Sequence, residues 1–251
     1  MAIAHVNKED IVLKFKNGFA QTEMLAGTYK GGVHAYRCAL KSGRAVTPEI
    51  YPKTLQIFCL TDGKGAIITP DRAYAVNEVS FYVADPASTF AIHAATDMVY
   101  TMFVVEQTVH DLKRYDAFHL AVPFFQPLSE CVEYCQDCKT ANSKSFSVIP
   151  TKRLCRVLMG VAEANGEKDG TIEGTSEIGH PAVAQWNVLY GDTELTLTVD
   201  GESIDQKSGD FSYVPAGLDH SLLTKPGKNL HYIWFEHYVQ EVDYLVSNPH
   251  R

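Results

Sequence analysis

His180 and His220 are the two side chains of this sequence best suited, by type and context, to hold a metal ion. Neutral imidazole nitrogen is a good ligand for divalent manganese, iron, zinc, nickel or copper, and two histidines on neighbouring strands can converge on one point. Glu177, three residues before His180, adds an oxygen donor, and Gln185, five residues after it, a weaker uncharged one. Three or four protein donors leave coordination positions open, so the chemistry on offer is Lewis-acid activation or activation of water: isomerisation, hydrolysis or dioxygen chemistry. The competing reading is that both histidines hydrogen-bond inside a filled barrel. Further along, residues 231–237 read as a strand, with Tyr232, Trp234 and Glu236 on one face and His231, Ile233, Phe235 and His237 on the other. The first set is taken as the substrate-contacting one, although the run alone does not say which face turns inward.

Strands have to hold these residues. Residues 187–190 and 195–199 are short runs rich in β-branched and aromatic side chains, with Gly191-Asp192 and Asp200-Gly201 as the turns around them. Residues 211–214 make a further strand, closed by Pro215-Ala-Gly217, where Pro fixes φ and Gly permits the tight return that delivers His220 to the next strand.

In order and spacing these pieces resemble the two motifs of the cupin superfamily. The first motif has two histidines one residue apart, then a carboxylate and a glycine turn; the second has Gly-Asp, a Pro-x-Gly turn and a third histidine. His180 falls on the second histidine of the first motif, Ile178 on the first, and Gln185 on the glutamate, while Gly209, Asp210, Pro215, Gly217 and His220 match the second motif position by position. Glu177, one residue off register, is the candidate to compensate for Ile178. The resemblance implies an all-β chain of tandem jelly-roll barrels and one divalent transition metal (Mn, Fe, Zn or Ni) held by His180, His220, Gln185 and Glu177. Bicupins with one active barrel include ureidoglycine aminohydrolases, sugar-acid isomerases and ring-cleaving dioxygenases, and the resemblance does not choose among them.

An internal repeat supports two barrels independently of any family. Gln56-Ile-Phe-Cys-Leu-Thr-Asp-Gly63 lines up with Gln185-Trp-Asn-Val-Leu-Tyr-Gly191, and Asn77-Glu-Val-Ser-Phe-Tyr-Val83 with Gly209-Asp-Phe-Ser-Tyr-Val214. The first copy lacks the chemistry: Glu49 and Tyr51 stand where the histidines would be, Gln56 where the carboxylate would, and Asp85-Pro86-Ala-Ser-Thr-Phe90 replaces the turn. His93, beside Phe90, Ala91 and Ile92, is expected as a satisfied core residue. The implied organisation is a degenerate barrel over 1–110, a linker over 111–148 and the metal-binding barrel over 149–251.

Within the linker, Ser129 follows Pro127 and begins a predicted short helix to Cys138. Cys131, Cys135 and Cys138 share the spacing of a radical S-adenosylmethionine triad, but they follow a β domain, and i, i+4, i+7 is also one helix face. Three packing thiols are expected, with a structural zinc shared with Cys155 as the alternative. Residues 238–245 have helical spacing and are expected to form a packing or dimer helix.

Composition bounds the rest. The chain has 251 residues, 45% hydrophobic, enough for two barrels of about 100 residues each. A net charge of -8 and a pI near 5.7 argue against nucleic acid or an anionic membrane as partner. No apolar h-region opens the sequence and no run approaches the roughly 20 apolar residues of a membrane span, so a cytoplasmic protein with reduced thiols is expected. A small-molecule ligand and a homodimer are the expected partners. Two functional readings remain: a metal-dependent enzyme on a small polar metabolite, or a non-catalytic ligand-binding or structural bicupin.

Overall fold

The computed structural model describes residues 3–118, 120–166 and 170–241. Among these residues one α-helix, Val109–Phe118, and two single 3-10 turns interrupt an otherwise antiparallel set of strands. The chain divides into two compact units. One, the N-terminal unit, comprises Ile11–Lys113 with Leu120–Cys131; the other, the C-terminal unit, comprises Met1–Asp10, Arg114–His119 and Val132–Arg251.

Each unit has a larger sheet and a four-stranded one, and the strand order repeats. In the C-terminal unit Phe211–Val214, Val183–Leu189, Leu230–Tyr238, Val157–Ala164 and Lys144–Leu154 lie side by side; in the N-terminal unit Ser80–Val83, Thr54–Asp62, Met98–Glu106, Val33–Leu40 and Phe19–Met24 do the same. The smaller sheets, Gly174–Glu177, His220–Thr224, Glu194–Val199, Glu202–Lys207 and Ala45–Val46, Ala91–Ala94, Gly65–Ile68, Ala73–Val76, match as well. One part of the repeat shifts by a residue. Gln56 and Gln185 both lie on the inward alternation, but Gln185 pairs with Val214 whereas the residue opposite Val83 is Ile57. Ala84, not Val83, is therefore the counterpart of Val214, because a one-residue slip exchanges the two faces of a strand.

Alternation explains which faces close. Along Glu194–Val199, Leu195, Leu197 and Val199 are buried while Glu194, Thr196 and Thr198 face outward. Each leucine removed from water contributes roughly 1.5–3 kcal/mol, and with Leu158, Val183, Leu222 and Trp234 they form the core of the C-terminal unit. The N-terminal unit is filled with aromatic rings. Phe90 lies two residues before buried Ile92 as His220 lies two before buried Leu222, and its ring meets Phe58 edge-on at 5.4 Å and Tyr82 at 5.1 Å. An apolar ring thus stands where His220 stands in the C-terminal unit. His93 is exposed, not a core residue, because alternation turns it away from Ile92 and Ala94.

The organisation departs from the expected 1–110, 111–148 and 149–251. Ala4–Val6 adds an edge strand beside Phe211–Val214, so the first residues belong to the C-terminal unit. Phe124–Pro127 does the same beside Ser80–Val83, and Val132–Tyr134 pairs with Lys144–Leu154. The region 111–148 is therefore divided between the two units. Its helix is Val109–Phe118, opened by a reciprocal cap in which Asp111 N donates to Thr108 Oγ1 at 3.1 Å and Thr108 N to Asp111 Oδ2 at 3.0 Å. Ser129–Cys138 is not a helix: a single turn Leu128–Glu130 leads into extended chain, since edge pairing satisfies the backbone instead. Of the proposed C-terminal helix, Tyr238 ends a strand and residues 242–245 lie outside the described residues.

Candidate metal centre

His180, His220 and Glu177 meet inside the C-terminal unit. Glu177 ends the strand Gly174–Glu177 and stands directly opposite His220 on the next strand. Alternation then turns Ile178 outward, where it is 87% exposed. The chain bends back at Gly179, whose N–H donates to Asp219 Oδ1 at 2.8 Å, and Gly217 N donates to His180 O at 3.0 Å. A side chain at 179 would collide with the Gly217 backbone at 2.4 Å, so the return that delivers His180 requires glycine there. Gly217 itself sits at φ +85°, the left-handed conformation the Pro215-Ala-Gly217 turn needs.

One donor atom from each of the three residues lies within 4.8 Å of the others. His180 Nε2 is 2.6 Å and His220 Nε2 3.8 Å from Glu177 Oε2, and the imidazole rings cross nearly at right angles, 86°, with centroids 5.0 Å apart. His220 Nδ1 donates to Leu218 O at 3.2 Å, which fixes the tautomer and leaves Nε2 with its lone pair toward the cluster. That Nε2 is buried and has no hydrogen-bond partner among the described residues. Around a tetrahedral ion with ligands at about 2.0–2.2 Å the donors stand roughly 3.3–3.5 Å apart, so a small closing of His220 and opening of the His180–Glu177 contact would seat a divalent ion. The residues fit such a group.

Charge is concentrated here. Burial works to raise the Glu177 carboxyl, but the hydrogen bond from His180 and the charges of Lys139 and His180 outweigh it and hold it well below the carboxylate range. Burial works to lower His180, and the Glu177 hydrogen bond with the Glu236 and Glu177 charges reverses this, favouring imidazolium. His220 is shifted down by burial and stays neutral, ready to ligate. Glu236, fully enclosed with Oε1 3.9 Å from His180 Nε2, is pushed up to about 8 by burial.

The remaining sequence-derived residues divide by face. Tyr232, Trp234 and Glu236 all turn inward; His231 is clamped outside between Glu163 Oε1 at 3.2 Å and Asp192 Oδ1 at 3.1 Å, and His237 lies on that other face. Gln185, opposite Glu236 in register, is buried, and its amide nitrogen donates to Asn187 Oδ1 at 2.7 Å. Glu177 thus reaches the cluster from one residue off the motif. Cys138 Sγ donates to Glu177 Oε1 at 3.2 Å, while Cys135 is exposed and Cys155 buried. Among the described residues the only cluster of metal-ligating type is Glu177, His180 and His220, so the cysteines do not form a zinc site there. Sequence reasoning missed Lys139, and it took Cys138 as a packing thiol without its contact to Glu177; both are delivered by the segment after Val132–Tyr134, and the pairing of Lys139 with Thr175 is a long-range bridge that no local spacing marks.

No protein-family model matches the sequence, and no curated protein matches it. Solved structures do share its fold. A glyoxylate-induced protein from Pseudomonas aeruginosa superposes with a TM-score of 0.74 at 11% identity, over 94% of this chain and 89% of that one. Bacillus subtilis oxalate decarboxylase gives 0.70 at 12%, over 96% and 78%, and a cupin 2 conserved barrel domain protein from Leptotrichia buccalis gives 0.60 at 15%, over 95% and 98%. The chain has the cupin fold.

Proposed function

We propose that this chain is a metal-dependent bicupin enzyme acting on a small polar metabolite, with the C-terminal barrel active and the N-terminal barrel structural. The observation that carries the reading is the convergence of Glu177, His180 and His220, with His220 Nε2 buried, correctly tautomerised and without a hydrogen-bond partner among the described residues. When bound, a divalent ion would supply Lewis acidity for isomerase, hydrolase or dioxygenase chemistry. The chain's own residues do the rest: Glu177 balances charge, Glu236 holds a proton beside the centre, and Tyr232 and Trp234 shape the adjoining interior. The aromatic filling of the N-terminal unit and Phe90 in the ligand position support a structural role there. Oxalate decarboxylase, among the similar folds, acts on a small polar acid, which supports an enzyme over a purely structural barrel.

The test is elemental analysis of untagged protein by plasma mass spectrometry, with His180→Ala, His220→Ala and Glu177→Gln alongside, followed by turnover screens on metal-loaded protein. One equivalent of transition metal, lost in the variants, is expected. Wild type that carries none and cannot be loaded would leave a non-catalytic bicupin as the better reading.

A further inference from the structure

Lys139 belongs to none of the motifs, yet its ammonium is enclosed beside the candidate centre while its stem stays partly exposed. It bridges Thr175, two positions before Glu177 on the same strand face. The ammonium donates to Thr175 Oγ1 at 2.5 Å and to the Tyr232 hydroxyl at 3.0 Å, and it lies 5.4 Å from the Tyr232 ring centroid. The two hydroxyls are 2.6 Å from each other, which fixes both. Both partners are neutral, an ammonium has three donors, and among the described residues no carboxylate ion-pairs with it. The Glu177 charge favours the ammonium from a distance, but the third N–H has no hydrogen-bond partner among the described residues, and a further acceptor would complete the site.

A second donor points the same way. Trp234 lies between Tyr232 and Glu236 on the inward face of its strand, and its indole N–H is buried with no hydrogen-bond partner among the described residues. The indole lies over Gly160 of the neighbouring strand, where any Cβ would meet ring carbons at 2.3 and 2.7 Å. Two residues along a strand cover about 6–7 Å, so Lys139 stands one small molecule's length from Glu177. With a dication between Glu177, His180 and His220, the enclosed charges leave a positive excess even if Glu177 and Glu236 are both ionised.

We infer that this interior receives a small organic acid, its carboxylate held by Lys139, the Trp234 N–H donating to the same molecule, and its far end reaching the metal position. Only the placement of the far end rests on the metal reading; the carboxylate contact stands on Lys139, Thr175 and Tyr232. A neutral polyol would offer the ammonium a third acceptor but no balancing charge, and a cation would offer neither.

The test is calorimetric titration of glycolate and malonate against their uncharged amides, on wild type, Lys139→Met and Lys139→Arg, both metal-loaded and metal-free, with metal content measured on each sample. Wild type is expected to prefer at least one acid over its amide by about 10- to 100-fold, the range of one charge-assisted hydrogen bond. Lys139→Met should retain metal and lose that preference, and Lys139→Arg should recover part of it. No preference for either acid in wild type, or a preference that survives in Lys139→Met, overturns the inference. Should Lys139→Met fail to fold, Tyr232→Phe is read instead: it removes one anchor of the ammonium, and an unchanged preference there also counts against the inference. Loss of metal binding in wild type would refute the metal reading by itself, while the carboxylate preference would still be judged on metal-free protein.

Discussion

Replacing Glu236 by Gln should stabilise the metal-free protein at alkaline pH, the opposite of what removing a paired carboxylate does. Glu236 is wholly enclosed on the strand Leu230–Tyr238, and burial lifts its carboxyl from an ordinary 4.5 to about 8, with His180 and Lys139 opposing the shift and Glu177 adding to it. The folded state therefore holds this proton more tightly than the unfolded chain does. The stability it confers is fully present below about pH 4.5, declines as pH rises toward 8, and is level above that. At roughly 1.4 kcal/mol per unit, the full span amounts to about 5 kcal/mol. Gln keeps the shape without the charge, and imperfect pairing of its amide costs about 1–3 kcal/mol. The net expectation is a gain of roughly 2–4 kcal/mol over wild type at pH 9, turning to a loss of about 1–3 kcal/mol at pH 4.5, where only the amide cost remains. Urea unfolding of chelator-treated wild type and Glu236→Gln across this range measures it. Parallel pH profiles for the two proteins, or a Gln variant less stable at pH 9, would refute the reasoning.

Gly160→Ala should cost about 1–3 kcal/mol and shift the fluorescence of Trp234, because the added methyl meets the indole and the Phe146 carbonyl oxygen at 2.5 Å and the ring must tilt. A variant with native emission and midpoint would show that the indole does not lie on Gly160. Gly217→Ala should lose about 1–2 kcal/mol from the left-handed backbone there, with weaker metal uptake from the displaced His220, read by denaturation and metal analysis. In native protein, alkylation followed by peptide mass spectrometry should find Cys135 modified first, since it is exposed, whereas Cys38 and Cys59 are fully buried with thiols pushed far up by burial. Rapid native labelling of Cys59 would contradict the packing of the N-terminal unit.

Much of the fold was legible because it is written locally. Alternation in 194–199, the Asp200-Gly201 turn and Pro215-Ala-Gly217 each act within a few residues, and the repeat showed that two such sets exist. His180 and His220 were legible for the same reason. Gln185 was placed on the right face but is tied to Asn187, while Glu177 enters because the strand's alternation turns it, not Ile178, inward. What the sequence hid is long-range pairing. The edge strands Ala4–Val6 and Phe124–Pro127 add to sheets formed far away in the chain, so the expected boundaries missed them. The cysteine spacing suggested a helix where backbone pairing with Lys144–Leu154 makes a strand, and Lys139 became visible only through its contacts with Thr175 and Tyr232. The true linker helix did carry a local sign, Thr108-x-x-Asp111.

The most direct test of the proposed centre is calorimetric titration of Mn2+ and Zn2+ into metal-free protein at pH 7 in two buffers of different ionisation enthalpy. The expected result is one saturable site with release of close to one proton, because His180 must give up the proton it shares with Glu177 before its Nε2 can ligate. Glu177→Gln and His220→Ala should abolish both the uptake and the proton release. Absence of saturable uptake, or uptake that survives in both variants, would contradict the assignment of Glu177, His180 and His220 as a metal centre.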